Sequence, residues 1–241
     1  MYLSAYCITL PLTLVAIQAA TFLSHRLQAT RKRRLGWGFF ALLLLLEGCK
    51  HLHALYRGAW SADLLPFHYS STFLVSLPLS LTPRTAHFGR CTLFIGGIFL
   101  SLALVTNPYA VVGDPSVALQ RFDAFHSLFY HLAVLALLAA MLAGSHYRPR
   151  RGDTLRYLCF LLAWAAIALP AAFSLNNNYA GLLRSYIPPL EQLRVRHGQA
   201  AYLVCYALLA LVLAQLALAV LAHIQARRLT HLPESCIIKK I

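Results

Sequence analysis

Apolar runs of about eighteen to twenty residues, parted by short polar or basic connections, recur along the whole chain. Coiled as an α-helix, a run of that length crosses a hydrocarbon core about 30 Å thick. The pattern predicts seven spans, near 7–24, 35–56, 65–82, 91–106, 124–142, 157–174 and 200–223. No internal repeat or low-complexity stretch interrupts the series. Residues 1–241 therefore read as a single domain, an all-α, polytopic integral membrane helical bundle. The most independent stretch is 176–198, where Pro188 and Pro189 are expected to break any helix. Within it, residues 179–186 suit a short helix lying in the membrane interface.

Composition agrees with the pattern. A chain that is 59% hydrophobic and 12% charged has too little polar surface to cover a soluble globule. The net charge of +14 would suit nucleic acid if it lay on one face. Instead the basic residues sit in the connections between spans, so no nucleic-acid partner is expected. Alternating those connections between the two sides makes the bias plain. Of 21 Lys and Arg, fifteen collect on one side, five on the other, and Lys50 stays inside a span. Positive residues hold loops in the cytoplasm, which puts the N-terminus outside and the C-terminus inside. The six cysteines are scattered singly, without metal or redox spacing, and read as free thiols.

The chemistry lies in polar groups that lipid-facing helices avoid, since an ionisable side chain within a span costs a few kcal/mol and normally faces the bundle interior. The third expected span opens with His68, Ser70, Ser71 and Thr72, and the fifth carries His126, Ser127 and His131. Glu47, Lys50 and His51 share a face of the second span at i, i+3 and i+4. Asn177, Asn178 and Tyr179 stand at the outer mouth. At about 1.5 Å per residue, His68 lies roughly 5 Å, Ser70 roughly 8 Å and His131 roughly 11 Å below the outer boundary. These groups are expected to form one polar pocket that opens outward. On a regular helix Ser70 stands about 200° round from His68, so a base for Ser70 must come from another helix, and His131 is the candidate. Plainer roles stand beside this one. Glu47 and Lys50 also suit a neutralised buried pair, His131 a ring bonded to a backbone carbonyl, and the hydroxyls of 70–72 bonds to their own helix.

Three stretches together carry a family likeness: Leu65-Pro66-Phe67-His68-Tyr69-Ser70, Phe125-His126-Ser127-Leu128-Phe129-Tyr130-His131, and Asn177-Asn178-Tyr179 followed by Pro188 and a last long span. In order and spacing the chain resembles the YwaF-like integral membrane proteins of bacteria, related to the animal transmembrane protein 164 group. The resemblance implies a multi-pass protein of the bacterial cytoplasmic membrane whose animal relatives are implicated in phospholipid acyl transfer through a cysteine and a histidine. Here the cysteine of the bacterial pattern is Ser70, and the position after the proline, where the animal branch has its cysteine, is Phe67.

Three classes of function follow. The first is a lipid-directed acyltransferase or hydrolase with Ser70 as nucleophile, His131 as general base, and His68 or Asn178 steadying the oxyanion. The second is a non-enzymatic protein whose pocket, built from Glu47, Lys50, His51, His68, Ser127, Asn177, Asn178 and Tyr179, binds a membrane lipid or carries protons. The third is a metal or haem site of His51, His68, His126 and His131. No two of these four show strong ligand spacing on one helix, so neither cofactor nor metal is expected. The sequence leaves the oligomeric state open.

Overall fold

The computed structural model describes residues 2–118, 120–143 and 147–230. The basic tail beyond them, with Cys236, Lys239 and Lys240, lies outside the described residues. Among those residues the regular structure is entirely helical: α1 (Tyr2–Arg26), α2 (Ala29–Tyr56), α3 (Phe73–Leu81), α4 (Ala86–Thr106), α5 (Pro108–Val112), α6 (Phe122–Ala143), α7 (Asp153–Leu175) and α8 (Pro188–Thr230), joined in places by single 3-10 turns. Six of them, α1, α2, α4, α6, α7 and α8, are long and apolar enough to cross a membrane. The protein is a multi-pass integral membrane protein.

The seventh expected helical span, 65–82, does not form. Its helix, α3, has 9 residues, which at about 1.5 Å each reach less than half of a hydrocarbon core. The cause is local. Pro66 disfavours helical torsions in the residue before it, and Leu65 is extended at φ −60°, ψ 145°. His68 is extended too, at φ −69°, ψ 157°, and a 3-10 turn, Tyr69–Thr72, precedes α3. The helical-face relation between His68 and Ser70 and the depths counted at a helical rise therefore do not apply to this stretch.

The segment still runs the length of the bundle. At one end the Tyr179 hydroxyl, beyond the C-terminus of α7, donates to the Ala62 carbonyl. Midway, the Trp164 indole N–H of α7 meets the Phe67 carbonyl at 3.4 Å. Further on, Tyr69 and Tyr157 share a hydroxyl hydrogen bond of 2.6 Å near the start of α7. Finally Leu81 packs against Gly36 in the early turns of α2. Irregular backbone is tolerated inside a membrane bundle where protein satisfies its polar groups. That condition holds here. The Ser70 carbonyl accepts from the Tyr130 hydroxyl at 3.3 Å, the Tyr69 carbonyl from Thr72 Oγ1 at 2.7 Å, and the Asp63 carbonyl faces His68 Nε2 at 3.0 Å.

The hub is α4 with α6, whose apolar windows are 56% and 61% buried, against 17% for α1, α2 and α7 and 11% for α8. The outer helices turn Leu45, Leu162, Ile167 and Leu208 outward, as expected where lipid replaces water as solvent. Small residues set the close approaches. A Cβ on Gly89 of α4 would stand 2.1 Å from the Ser80 backbone nitrogen, and one on Gly97 would stand 2.2 Å from Leu138 of α6. Ser24 ties α1 to α6 by donating to the Ala140 carbonyl at 2.6 Å.

The 176–198 stretch also departs from expectation. Residues 179–186 hold only a 3-10 turn, Tyr179–Gly181, in which Ala180 takes φ 50°. Pro188 and Pro189 open α8 rather than breaking it, because the first helical turn needs no amide donor there. The break falls ten residues later at Gly198, with φ 88° and ψ 173°, values that glycine adopts without the clash a Cβ would meet.

Candidate functional site

Ser70 sits on the irregular segment, partly buried, and its carbonyl accepts from the Phe73 N–H and from the Tyr130 hydroxyl. Tyr130 is eight residues into α6, so this contact lies about 12 Å from the helix start. His131 follows it. The His131 ring is buried, with Nδ1 2.6 Å from the Ser127 carbonyl one turn back. That contact is the plain backbone bond expected for a membrane histidine, and it also fixes the tautomer. With the proton on Nδ1, Nε2 carries a lone pair. Neither Ser70 Oγ nor His131 Nε2 has a hydrogen-bond partner among the described residues.

A second polar group lies on α2. Lys50 and Glu47 form a close ion pair, and Glu47 Oε1 stands 3.7 Å from His51 Nε2. The Trp60 indole N–H donates to His51 Nδ1 at 3.2 Å. The Glu47 charge acts on His126 and Tyr130 of α6, and Lys50 on His126, which brings α2 and α6 into one polar neighbourhood. His126 is 8% exposed and its Nε2 is buried without a hydrogen-bond partner. Ser127 points its hydroxyl elsewhere, to the Val111 carbonyl at 3.3 Å.

The amide loop is organised differently from the expected pocket wall. Asn178 Oδ1 accepts from the backbone N–H groups of Leu183 and Arg184 at 3.0 and 2.9 Å, and its amide donates to the Arg184 carbonyl at 3.0 Å. Those bonds commit it to shaping its own loop. Asn177 reaches the Tyr179 hydroxyl at 3.4 Å. Tyr179 is fully buried, and its ring meets Phe67 and His68 edge to face, with centroids 5.3 and 5.4 Å apart. His68 and Tyr179 thus meet as expected, although His68 Nε2 is held by the Asp63 carbonyl. Of the histidines of the metal reading, His51, His68 and His131 each have separate partners. No group of three or more His, Cys, Asp or Glu among the described residues could hold a metal ion.

One polar centre escaped the sequence reading. Asp153, at the start of α7, is fully buried. Its carboxylate accepts from the Tyr147 hydroxyl at 2.7 Å, the Arg150 N–H at 2.8 Å and Arg156 at 2.7 Å, and it pairs with His87 Nε2 at 2.8 Å. Its carbonyl faces the Cys91 thiol at 3.2 Å. Burial first, and the bond to Asp153 second, push the Tyr147 hydroxyl well above the usual phenol range, so it stays a donor. The available signal was a lone acid among Arg148, Arg150, Arg151 and Arg156. Its partner His87 is 66 residues away and gives no local cue.

The three motif stretches, far apart in sequence, therefore converge on one line of backbone. Tyr179 of the late loop and Tyr130 of α6 both donate to carbonyls of the segment that carries Phe67, His68 and Ser70. A family model described as TMEM164 family matches residues 2–222. No curated protein and no solved structure matches the chain.

Proposed function

The chain belongs to the TMEM164 family, and from that membership we propose that it is a lipid-directed acyltransferase or hydrolase working at an intramembrane Ser70–His131 site. The observation that carries the reading is the Tyr130 hydroxyl bonded to the Ser70 carbonyl at 3.3 Å, which sets Ser70 against the turn of α6 that bears His131. The proton held between His131 Nδ1 and the Ser127 carbonyl leaves Nε2 as the basic nitrogen. Serine needs such a base, being a weak nucleophile at its own pKa.

In this scheme Ser70 Oγ attacks the ester carbonyl of a bound membrane lipid and its proton passes to His131 Nε2. Collapse of the tetrahedral intermediate breaks the ester bond, and the departing lysolipid oxygen takes that proton. A second lipid hydroxyl, or water, then attacks the acyl-serine while giving its proton to Nε2. Release of the acyl product returns that proton to Ser70. The clustered arginines around Asp153 would face the cytoplasm. With the irregular segment counted as a crossing, the N-terminus is outside, the C-terminus inside, and the site opens toward the outer leaflet of a bacterial cytoplasmic membrane.

The test is lipid turnover by the purified protein in vesicles of bacterial phospholipid, followed by lipidomics. Wild type is expected to release lysolipid or exchange acyl chains, and both Ser70→Ala and His131→Ala to stop doing so. Equal turnover in all three would refute the assignment. A second reading rests on the buried, unpartnered His126 Nε2 beside Glu47 and Lys50: a proton path through these groups. Proton flux into proteoliposomes that Glu47→Gln abolishes while Ser70→Ala leaves it intact would favour that reading over the first.

A further inference from the structure

A cavity of about 230 Å³ opens where the starts of α2 and α4 meet the ends of α1, α3 and α6, at the end of the bundle away from Tyr179. Lys32, Arg33 and Arg90 line it together with the apolar side chains of Leu81, Leu137 and Met141. Ser24 and Ser80 also border it, but each hydroxyl already donates to a backbone carbonyl at 2.6 Å. No acidic side chain lines the space. Neither Lys32 nor Arg33 has an acidic partner among the described residues. Like charges gathered around one opening repel each other, and an anion between them relieves that repulsion. The volume is several times the share of one water, roughly 30 Å³.

We propose that this cavity binds a phosphate-bearing ligand, with the phosphate oxygens among Lys32, Arg33 and Arg90 and an apolar portion against Leu137 and Met141. Lysine and arginine hold phosphate through charge-assisted hydrogen bonds, arginine with two parallel donors. The apolar lining suits an amphiphile such as a phospholipid, whereas inorganic phosphate satisfies only the basic groups. The site lies apart from Ser70 and His131 and does not depend on their chemistry.

Native mass spectrometry on the full chain in detergent tests it, with a diacyl phosphatidylglycerol, an uncharged diacylglycerol and inorganic phosphate as separate probes. The variants are Lys32→Gln/Arg33→Gln and, as a control for general basic surface, Arg148→Gln/Arg151→Gln, both checked for an unchanged melting temperature. Wild type and control are expected to retain the phosphatidylglycerol and release the diacylglycerol. Retention should fall about tenfold or more in Lys32→Gln/Arg33→Gln, the loss expected for one charged hydrogen bond. Displacement of the lipid by millimolar inorganic phosphate would identify a small phosphate compound as the ligand, and its persistence a lipid. Equal retention in both variants, equal loss in both, or no binding of either phosphate probe overturns the proposal.

Discussion

Asp153 and His126 are both buried ionisable groups in one bundle, and their surroundings treat them in opposite ways. Asp153 has its carboxylate engaged by Tyr147, Arg150, Arg156 and His87, which joins α4, the connection before α7, and α7 itself. His126, nearly as buried, keeps a ring nitrogen with no partner, and close by Ser70 Oγ and His131 Nε2 are also uncommitted among the described residues. A saturated network fixes geometry and has no capacity left for a ligand. Of the uncommitted atoms His126 Nε2 is the fully buried unsatisfied one, and such groups are costly and rare enough to call for an explanation. In a membrane chain the presence of a polar residue is therefore a poor guide to function; what its atoms have left over after folding is a better one.

The comparison breaks most visibly at the saturated end. Asp153→Ala strands His87 and Arg156 without their carboxylate and should cost about 3–5 kcal/mol, the penalty for breaking a buried pair. Thermal unfolding in detergent will read it as a large fall in midpoint. At the other end the effect moves from stability to activity. Ser70→Ala should leave the stability within about 1 kcal/mol of wild type, while His131→Ala, which empties a buried ring site, should cost more than that but less than Asp153→Ala. Their acyl turnover should fall by about 10²–10⁴-fold, as when a positioned acid–base group is lost. A smaller effect is expected from Tyr130→Phe, which removes the donor to the Ser70 carbonyl and should cost about 1 kcal/mol in the same melt. Smallest is His126→Leu. Replacing a ring whose nitrogen is unsatisfied by an apolar side chain should change stability by less than about 1 kcal/mol. A fall like that of Asp153→Ala would erase the contrast.

The six long helices were legible because hydropathy alone reports a helix that lipid must surround, as in α2 and α7. The 65–82 segment was misread for the same reason. Its residues are as apolar as a span, but Pro66 and the extended Leu65 and His68 make it an irregular segment held by Tyr179, Trp164 and Tyr130. Those donors lie 60 or more residues away, beyond any periodicity. Some juxtapositions within the candidate site were legible: His68 with Tyr179, Glu47 with Lys50 and His51, and the nearness of Ser70 to the His131 helix. The loop bonds of Asn178 were not legible, because an amide near a site and an amide that builds a turn look alike in sequence. Asp153 was missed because its partners assemble only in three dimensions.

The most direct measurement of the central claim is intact-mass and peptide-mapping spectrometry of the protein after brief incubation with an isotopically labelled diacyl phospholipid in vesicles. The account predicts a mass gain of one labelled acyl group, mapped to the peptide containing Ser70, and absent from both Ser70→Ala and His131→Ala. An unmodified protein beside unconsumed lipid, or an adduct that persists in Ser70→Ala, would contradict it.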